Sequence, residues 1–223
     1  MTRMSPERLS LDRPITTDGQ LLVEGRVPEM FFREMIAAFG LTTAVEARTF
    51  GDIGKENLQT YLELFTQKAV FKERVKRIGI IRDAEGSTAS GAFQSVQAAL
   101  RGAQLSVPAA MNVLEGSPLA VGVFILPNCQ DAGMLESLCL SAVAEVEAAQ
   151  PNGVLPCVDE FFACLSKRCK KPGNPTKAQF AGYALACDVV DPQLGRAAQK
   201  GAIPWQAKAF DSLKAFVRRV AGQ

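Results

Sequence analysis

Along the first two thirds of the chain, short apolar runs alternate with longer segments whose apolar residues recur at three- and four-residue spacing. "QLLVEG" is a run of the first kind and closes in Glu24 and Gly25. "PEMFFREMIAAFG" is of the second kind. Pro28 suits a first helical position, Phe31, Phe32, Met35 and Phe39 form one stripe, and Gly40 suits the turn beyond the C-terminus. The pair reads as strand, turn, helix. "TAVEARTFGDIG" predicts a second strand and "KENLQTYLELFTQKAV" a helix carrying Leu58, Tyr61, Leu62, Phe65 and Ala69 on one side. "RIGIIRDAEG" and "STASGAFQSVQAALRG" repeat the unit, with Phe93, Val96 and Leu100 on one helical face before Gly102. "LAVGVFILPN", rich in β-branched and aromatic residues, then feeds the helix "GMLESLCLSAVAEVEAA".

Near-continuous apolar strands separated by helices predict a mostly parallel sheet covered on both faces, an α/β three-layer sandwich. In such a fold the crossovers are right-handed and ligands bind at the carboxyl ends of the strands. After Pro151 the strand signal stops. "VLPCVDEFFACLSKRC", "NPTKAQFAGYALACD", "PQLGRAAQKG" and "WQAKAFDSLKAFVRRV" read as helices punctuated by Pro and Gly. The expected organisation is a loosely held arm over residues 1–18, an α/β core over 19–150, and a helical C-terminal extension over 151–223 packed on that core.

With 223 residues, 48% of them hydrophobic, the chain has ample material for one core. A net charge of +2, from 25 basic and 23 acidic residues, provides no global field to attract nucleic acid or an anionic membrane. The chain has no histidine, which removes Ser/His/Asp triads, Cys/His dyads and imidazole-ligated zinc at once. Acid–base work is left to carboxylates, Lys, Tyr, Cys or metal-bound water. The six cysteines, at 129, 139, 157, 164, 169 and 187, include no CxxC pair, so buried reduced thiols are expected rather than a zinc site. The N-terminal segment lacks the apolar stretch of a signal peptide, and no run is long and uncharged enough to span a bilayer. A cytoplasmic protein without a membrane partner is expected.

If the alternation is right, Glu24, Asp83 and Glu85 converge at strand carboxyl ends. Carboxylates brought together raise one another's pKa unless a cation compensates, and all-oxygen donors suit Mg²⁺ or Mn²⁺. In extended backbone Asp83 and Glu85 point the same way, so both can face one ion. The alternative is a solvated loop in which Asp83 caps the following helix. In "LPNCQDAGMLES", Asp131 suits a cap and Glu136 the first helical turn, with a second-metal role for Glu136 as the other reading. Lys177 sits in the first turn of a helix opened by Asn174 and Pro175, where the helix dipole disfavours a cation. It is either a clamp for charge developing on a phosphodiester or a solvated surface lysine. Lys55, after the glycine-flanked "FGDIG", invites a phosphate-binding reading. The basic run from Lys167 to Lys171 tracks a nucleic-acid backbone or is merely solvated. Phe161, Phe162, Trp205, Phe210 and Phe216 fall in predicted helices and are assigned to core packing.

"LLVEG" before a helix, and "GIIRDAEG" closing a later strand, resemble the Toprim domain of primases, topoisomerases and overcoming-lysogenization-defect nucleases. More closely, "FGDIGKENL", "VGVFILPNCQDAGMLESLCL", "KPGNPTKAQ" and "LGRAAQKGAIPW" resemble a standalone Toprim-like family, over about residues 20 to 220. The resemblance implies that Glu24, Asp83 and Glu85 bind Mg²⁺ or Mn²⁺ and act in a nuclease. Glu136 would then be a second-site ligand, Lys177 a charge stabiliser and Lys55 a substrate contact. Two positions depart from the pattern: Glu85 replaces the usual Asp, and Pro28 stands where many Toprim segments carry a further acidic residue, with Glu29 adjacent. Related nucleases work with an ATPase; this chain has no GxxxxGK[ST] motif, so any ATPase would be a separate protein. A Toprim-derived binding module that does not catalyse fits the same residues. So does a doubly wound domain using Asp83 as nucleophile, although the DxDxT-type continuation is missing. A homo-oligomer is compatible with the sequence.

Overall fold

Five apolar runs form one sheet in the computed structural model, which describes residues 10–51, 57–149, 153–168 and 171–223. The strands are β1 (Gly19–Val23), β2 (Val45–Thr49), β3 (Arg77–Asp83), β4 (Leu114–Glu115) and β5 (Ala120–Leu126), in the order β2-β1-β3-β5-β4. All pairings are parallel except β4 against β5. The two-residue β4 is absent from the periodicity reading because so short a strand leaves no pattern to detect.

Each strand alternates between two apolar layers, which is why both faces are covered. Leu22, Ile78, Ile80, Val121, Val123 and Ile125 pack with α2 (Leu58–Thr66), α3 (Ala69–Arg74) and α4 (Ala89–Gly102). Leu21, Val23, Ile81, Phe124 and Leu126 face the other layer. That layer draws on α1 (Arg26–Ala38), α5 (Leu135–Ala149), α7 (Pro175–Ala186), α8 (Leu194–Gln199) and α9 (Asp211–Ala221), with α6 (Val154–Arg168) packed against α7. The three-layer α/β sandwich expected from the pattern is therefore the fold.

The C-terminal segment does more than sit on a finished core, because α9 lies directly on the sheet. Gly79 and Gly122 are register partners on β3 and β5, and Phe216 fills the space that their missing side chains leave. A Cβ on Gly79 would stand 3.0 Å from the Phe216 ring, and one on Gly122 would stand 2.6 Å from the Val113 carbonyl oxygen. The two glycines thus fix how closely α9 approaches, and the Phe216 ring meets that of Phe124 at 5.5 Å.

Of the loosely held arm expected over 1–18, residues 1–9 lie outside the described residues, and the described part over 10–18 packs on the core. Ser10, Leu11, Ile15 and Thr17 are buried, and the fully buried Arg48 of β2 holds the segment down. Its guanidinium donates to the carbonyls of Ser10 (2.9 Å), Arg13 (3.0 Å) and Pro14, and to Gln20 Oε1 (2.7 Å), while Glu46 pairs with it at 3.1 Å. An arginine inside a strand was not legible as a clamp, because its partners are mostly backbone carbonyls. The helix predicted over 55–70 is two helices. Thr66 bonds back to the Leu62 carbonyl at 2.8 Å, and Lys68 turns extended before α3 begins.

Two smaller expectations also change. Phe210 and Phe216 are core residues and Trp205 packs on Phe31 at 5.1 Å from a turn rather than a helix, but Phe161 is 58% exposed. Cys139 is buried as expected, whereas Cys157 and Cys164 are exposed; the five described cysteines are free thiols. Cys169 lies outside the described residues. No helix among the described residues is long and apolar enough to cross a membrane.

Candidate functional site

From β1 the chain crosses to β2 on one side, and β3 then lies on the other side of β1. Connections leaving in opposite directions open a crevice at the carboxyl ends of β1 and β3, the place where open α/β sheets bind ligands. The crevice here is a cavity of about 520 Å³. Glu24 enters it from just beyond β1, Asp83 from the end of β3, and Glu85 from the following turn. Glu136, in the first turn of α5, and Lys177, in the first turn of α7, line it from the helical side.

Local hydrogen bonds explain why these residues meet. Gly25 turns the chain from β1 into α1 with φ at 96°, a conformation that favours glycine. Its N–H donates to the Thr49 hydroxyl at 2.8 Å, and the Gly51 N–H donates to the same oxygen at 3.0 Å. The buried Thr49 thereby ties together the carboxyl ends of β1 and β2. Sequence reasoning missed it, since a threonine closing a strand carries no motif of its own.

Asp83 does cap a helix, but a distant one. Its Oδ1 accepts from the Leu135 N–H at 3.0 Å, so it caps α5, whereas Thr88 caps α4 by accepting from Gly91 at 3.1 Å. Asp131 belongs to a turn instead: its N–H donates to Asn128 Oδ1 at 2.9 Å and its carboxylate accepts from Asn128 Nδ2 at 2.7 Å. Asn174 caps α7 as predicted, accepting from the Lys177 N–H at 3.0 Å.

The carboxylates that share the cavity perturb each other. Burial pushes Asp83 up to about 7, the neighbouring Glu136 and Glu24 push in the same direction, and the Leu135 N–H and Lys177 pull against them. Glu136 is also raised, chiefly by burial, with Lys177 again opposing.

One expectation is amended, and two further carboxylates have partners that the sequence does not suggest. Glu85 is not in extended backbone: its φ is 52°, its N–H donates to the Gly133 carbonyl at 2.7 Å, and the side chain is exposed. Asp83 and Glu85 therefore do not share a face by strand alternation, although both line the cavity. Glu29 is buried and paired with Arg13 (2.7 Å) and Arg33 (2.5 Å), which engages it in packing outside the cavity lining. Glu24 carries a partner that the sequence did not suggest, Arg82 of β3, whose Nε lies 3.7 Å from Oε2. Lys55 lies outside the described residues. Among the described residues, no three acidic, cysteine or histidine side chains stand close enough to form a ready-made metal cage.

The raised Asp83 carboxyl makes the stability of the fold depend on pH. Its carboxyl titrates near 3.8 when unperturbed and at about 7 when folded, so between these values the folded protein holds a proton that the unfolded chain has lost. Stability therefore falls as pH rises through that window, by an amount approaching 1.4 kcal/mol per pH unit, and the full penalty stands above about pH 7. Asp83→Asn keeps an acceptor for Leu135 and loses the charge. Its melting temperature should match the wild type near pH 4 and exceed it increasingly up to pH 8, as followed by thermal denaturation across that range without added divalent ions.

No curated protein and no solved structure matches the chain. A family model described as "Protein of unknown function (DUF3226)" matches residues 18–222, which take in all five strands, the carboxylate cavity and α9, and the chain belongs to that family.

Proposed function

We propose that the cavity takes a Mg²⁺ or Mn²⁺ ion on Glu24, Asp83 and Glu136, with Glu85 at its edge, and that the protein is a metal-dependent nuclease of Toprim-like type. The observation that carries this reading is that Glu24, Asp83, Glu85 and Glu136 line one cavity at the switch point of the sheet. The donors fit the ion: all are oxygens, which hard cations prefer, and no imidazole or thiolate competes in the lining. When bound, such an ion polarises a phosphodiester and lowers the pKa of its water.

The protein's own groups have definable parts. Leu135 N–H fixes one oxygen of Asp83 and leaves the other for the ion. Lys177, facing both Asp83 and Glu136, is placed to offset negative charge that develops on a scissile phosphate. Lys55 is a further candidate for phosphate contact. In this reading the protein is cytoplasmic, acts on nucleic acid and works with a separate ATPase.

The test is cleavage of plasmid and single-stranded DNA with Mn²⁺, in the wild type and in Glu24→Ala and Asp83→Asn. Cleavage confined to the wild type supports the proposal. A second reading, a binding module that does not catalyse, is favoured by the Arg82 contact that already engages Glu24. Mn²⁺ binding without cleavage would select it.

A further inference from the structure

Arg82 is the residue before Asp83 on β3 and faces the opposite layer, toward α4. Its Nη1 donates to Ser95 Oγ at 2.9 Å, whereas its Nε stands 3.7 Å from Glu24 Oε2. The first distance is a hydrogen bond and the second is too long for one. The guanidinium is thus anchored on α4 and holds Glu24 loosely, with both side chains about 30% exposed (32% and 28%). Lys177 lines the cavity and opposes the charge of Asp83 and Glu136, whereas Arg82 lies behind the lining residue Glu24 and meets it from beside the cavity, so the cations divide the carboxylates between them. Among the described residues the Ser95 and Glu24 contacts leave most of the Arg82 guanidinium's five N–H groups for another anion.

Resting on the cation reading of this cavity, we propose that Arg82 is a resident counter-ion and a substrate-positioning residue. It neutralises Glu24 while no divalent cation is bound, releases that carboxylate to the cation, and then presents its Ser95-anchored guanidinium to a phosphodiester oxygen. The arrangement accounts for the lack of a ready-made cage among the described residues, since Glu24 is turned to Arg82 until a cation competes for it. The two roles have opposite signs. Arg82 weakens cation binding and strengthens phosphate binding, which a purely structural residue would not do.

The experiment measures two constants on wild type, Arg82→Gln and Arg82→Lys. One is Mn²⁺ affinity, by calorimetry and by electron paramagnetic resonance of the free ion. The other is the affinity of the Mn²⁺-loaded protein for thymidine 5′-monophosphate. Arg82→Gln is expected to bind Mn²⁺ roughly tenfold more tightly, because a competing charge a few ångströms away is gone, and the nucleotide roughly tenfold more weakly, because a charge-assisted hydrogen bond is lost. Arg82→Lys keeps the charge and should bind Mn²⁺ as the wild type does. If both constants weaken together in Arg82→Gln, or Mn²⁺ affinity does not rise, the proposal is overturned while the cation site stands. If the wild type binds no Mn²⁺, the proposal and the reading it rests on fall together. Should Arg82→Gln not fold, Ser95→Ala decides: removing the anchor must weaken nucleotide binding and leave Mn²⁺ affinity intact, and weaker Mn²⁺ binding overturns the proposal.

Discussion

Arg48→Ala is expected to lower the unfolding free energy by about 3 to 5 kcal/mol, the range for breaking a buried, fully partnered charge. The reasons are all local. The backbone carbonyls of Ser10, Arg13 and Pro14 lose the guanidinium's N–H groups, and Glu46 and Gln20 lose the cation between them. Burying an acceptor without a partner costs more than the lost hydrogen bond itself contributes. The guanidinium also stands 5.5 Å from the Phe65 ring, so α2 loses a contact as well. At about 2–4 °C per kcal/mol for a chain of this size, the melting temperature should fall by roughly 10 °C. Arg48→Met should recover little of this, because it restores volume without restoring donors. Thermal denaturation with limited proteolysis near residues 10–18 checks it: early cleavage in that segment is expected in both variants. Wild-type stability in Arg48→Ala would show that the segment is held by its apolar residues instead.

Glu24→Ala and Asp83→Asn are each expected to reduce Mn²⁺-dependent DNA cleavage at least a hundredfold, since each removes an oxygen that would hold the ion. The two should differ in stability. Asp83→Asn is expected to melt above the wild type at pH 8, because the cost of burying the charge and the repulsion from Glu136 and Glu24 disappear while the bond to Leu135 stays. Glu24→Ala relieves the same repulsion only in part and leaves Arg82 with Ser95 but without its carboxylate. A variant that is more stable and less active identifies a residue kept for function against the interest of the fold. If Asp83→Asn were instead less stable at pH 8, Asp83 would be a structural cap and no more.

Most of the scaffold was legible because burial on both faces leaves strong traces. Val121, Val123, Phe124, Ile125 and Leu126 can only be a strand inside a covered sheet, and Phe31, Phe32, Met35 and Ile36 only the inner side of a helix. Glu24 and Asp83 were legible for a related reason, since a charge at the end of an apolar run in such a fold falls on the ligand-binding edge. What stayed hidden depends on partners remote in sequence. That Asp83 caps a helix starting at Leu135, that Arg82 reaches Glu24, and that Thr49 joins two turns are consequences of strand order, which the pattern of one strand does not encode. Glu85 was misplaced because the extended geometry was carried past Asp83, where the chain enters the left-handed region to pair with Gly133.

Soaking crystals in Mn²⁺ and recording anomalous diffraction tests the central claim most directly. A peak within coordination distance of Glu24 and Asp83 is the predicted result, with Glu24 drawn away from Arg82. Manganese elsewhere on the protein, or a cavity without an anomalous peak at a Mn²⁺ concentration that saturates binding in solution, would contradict it.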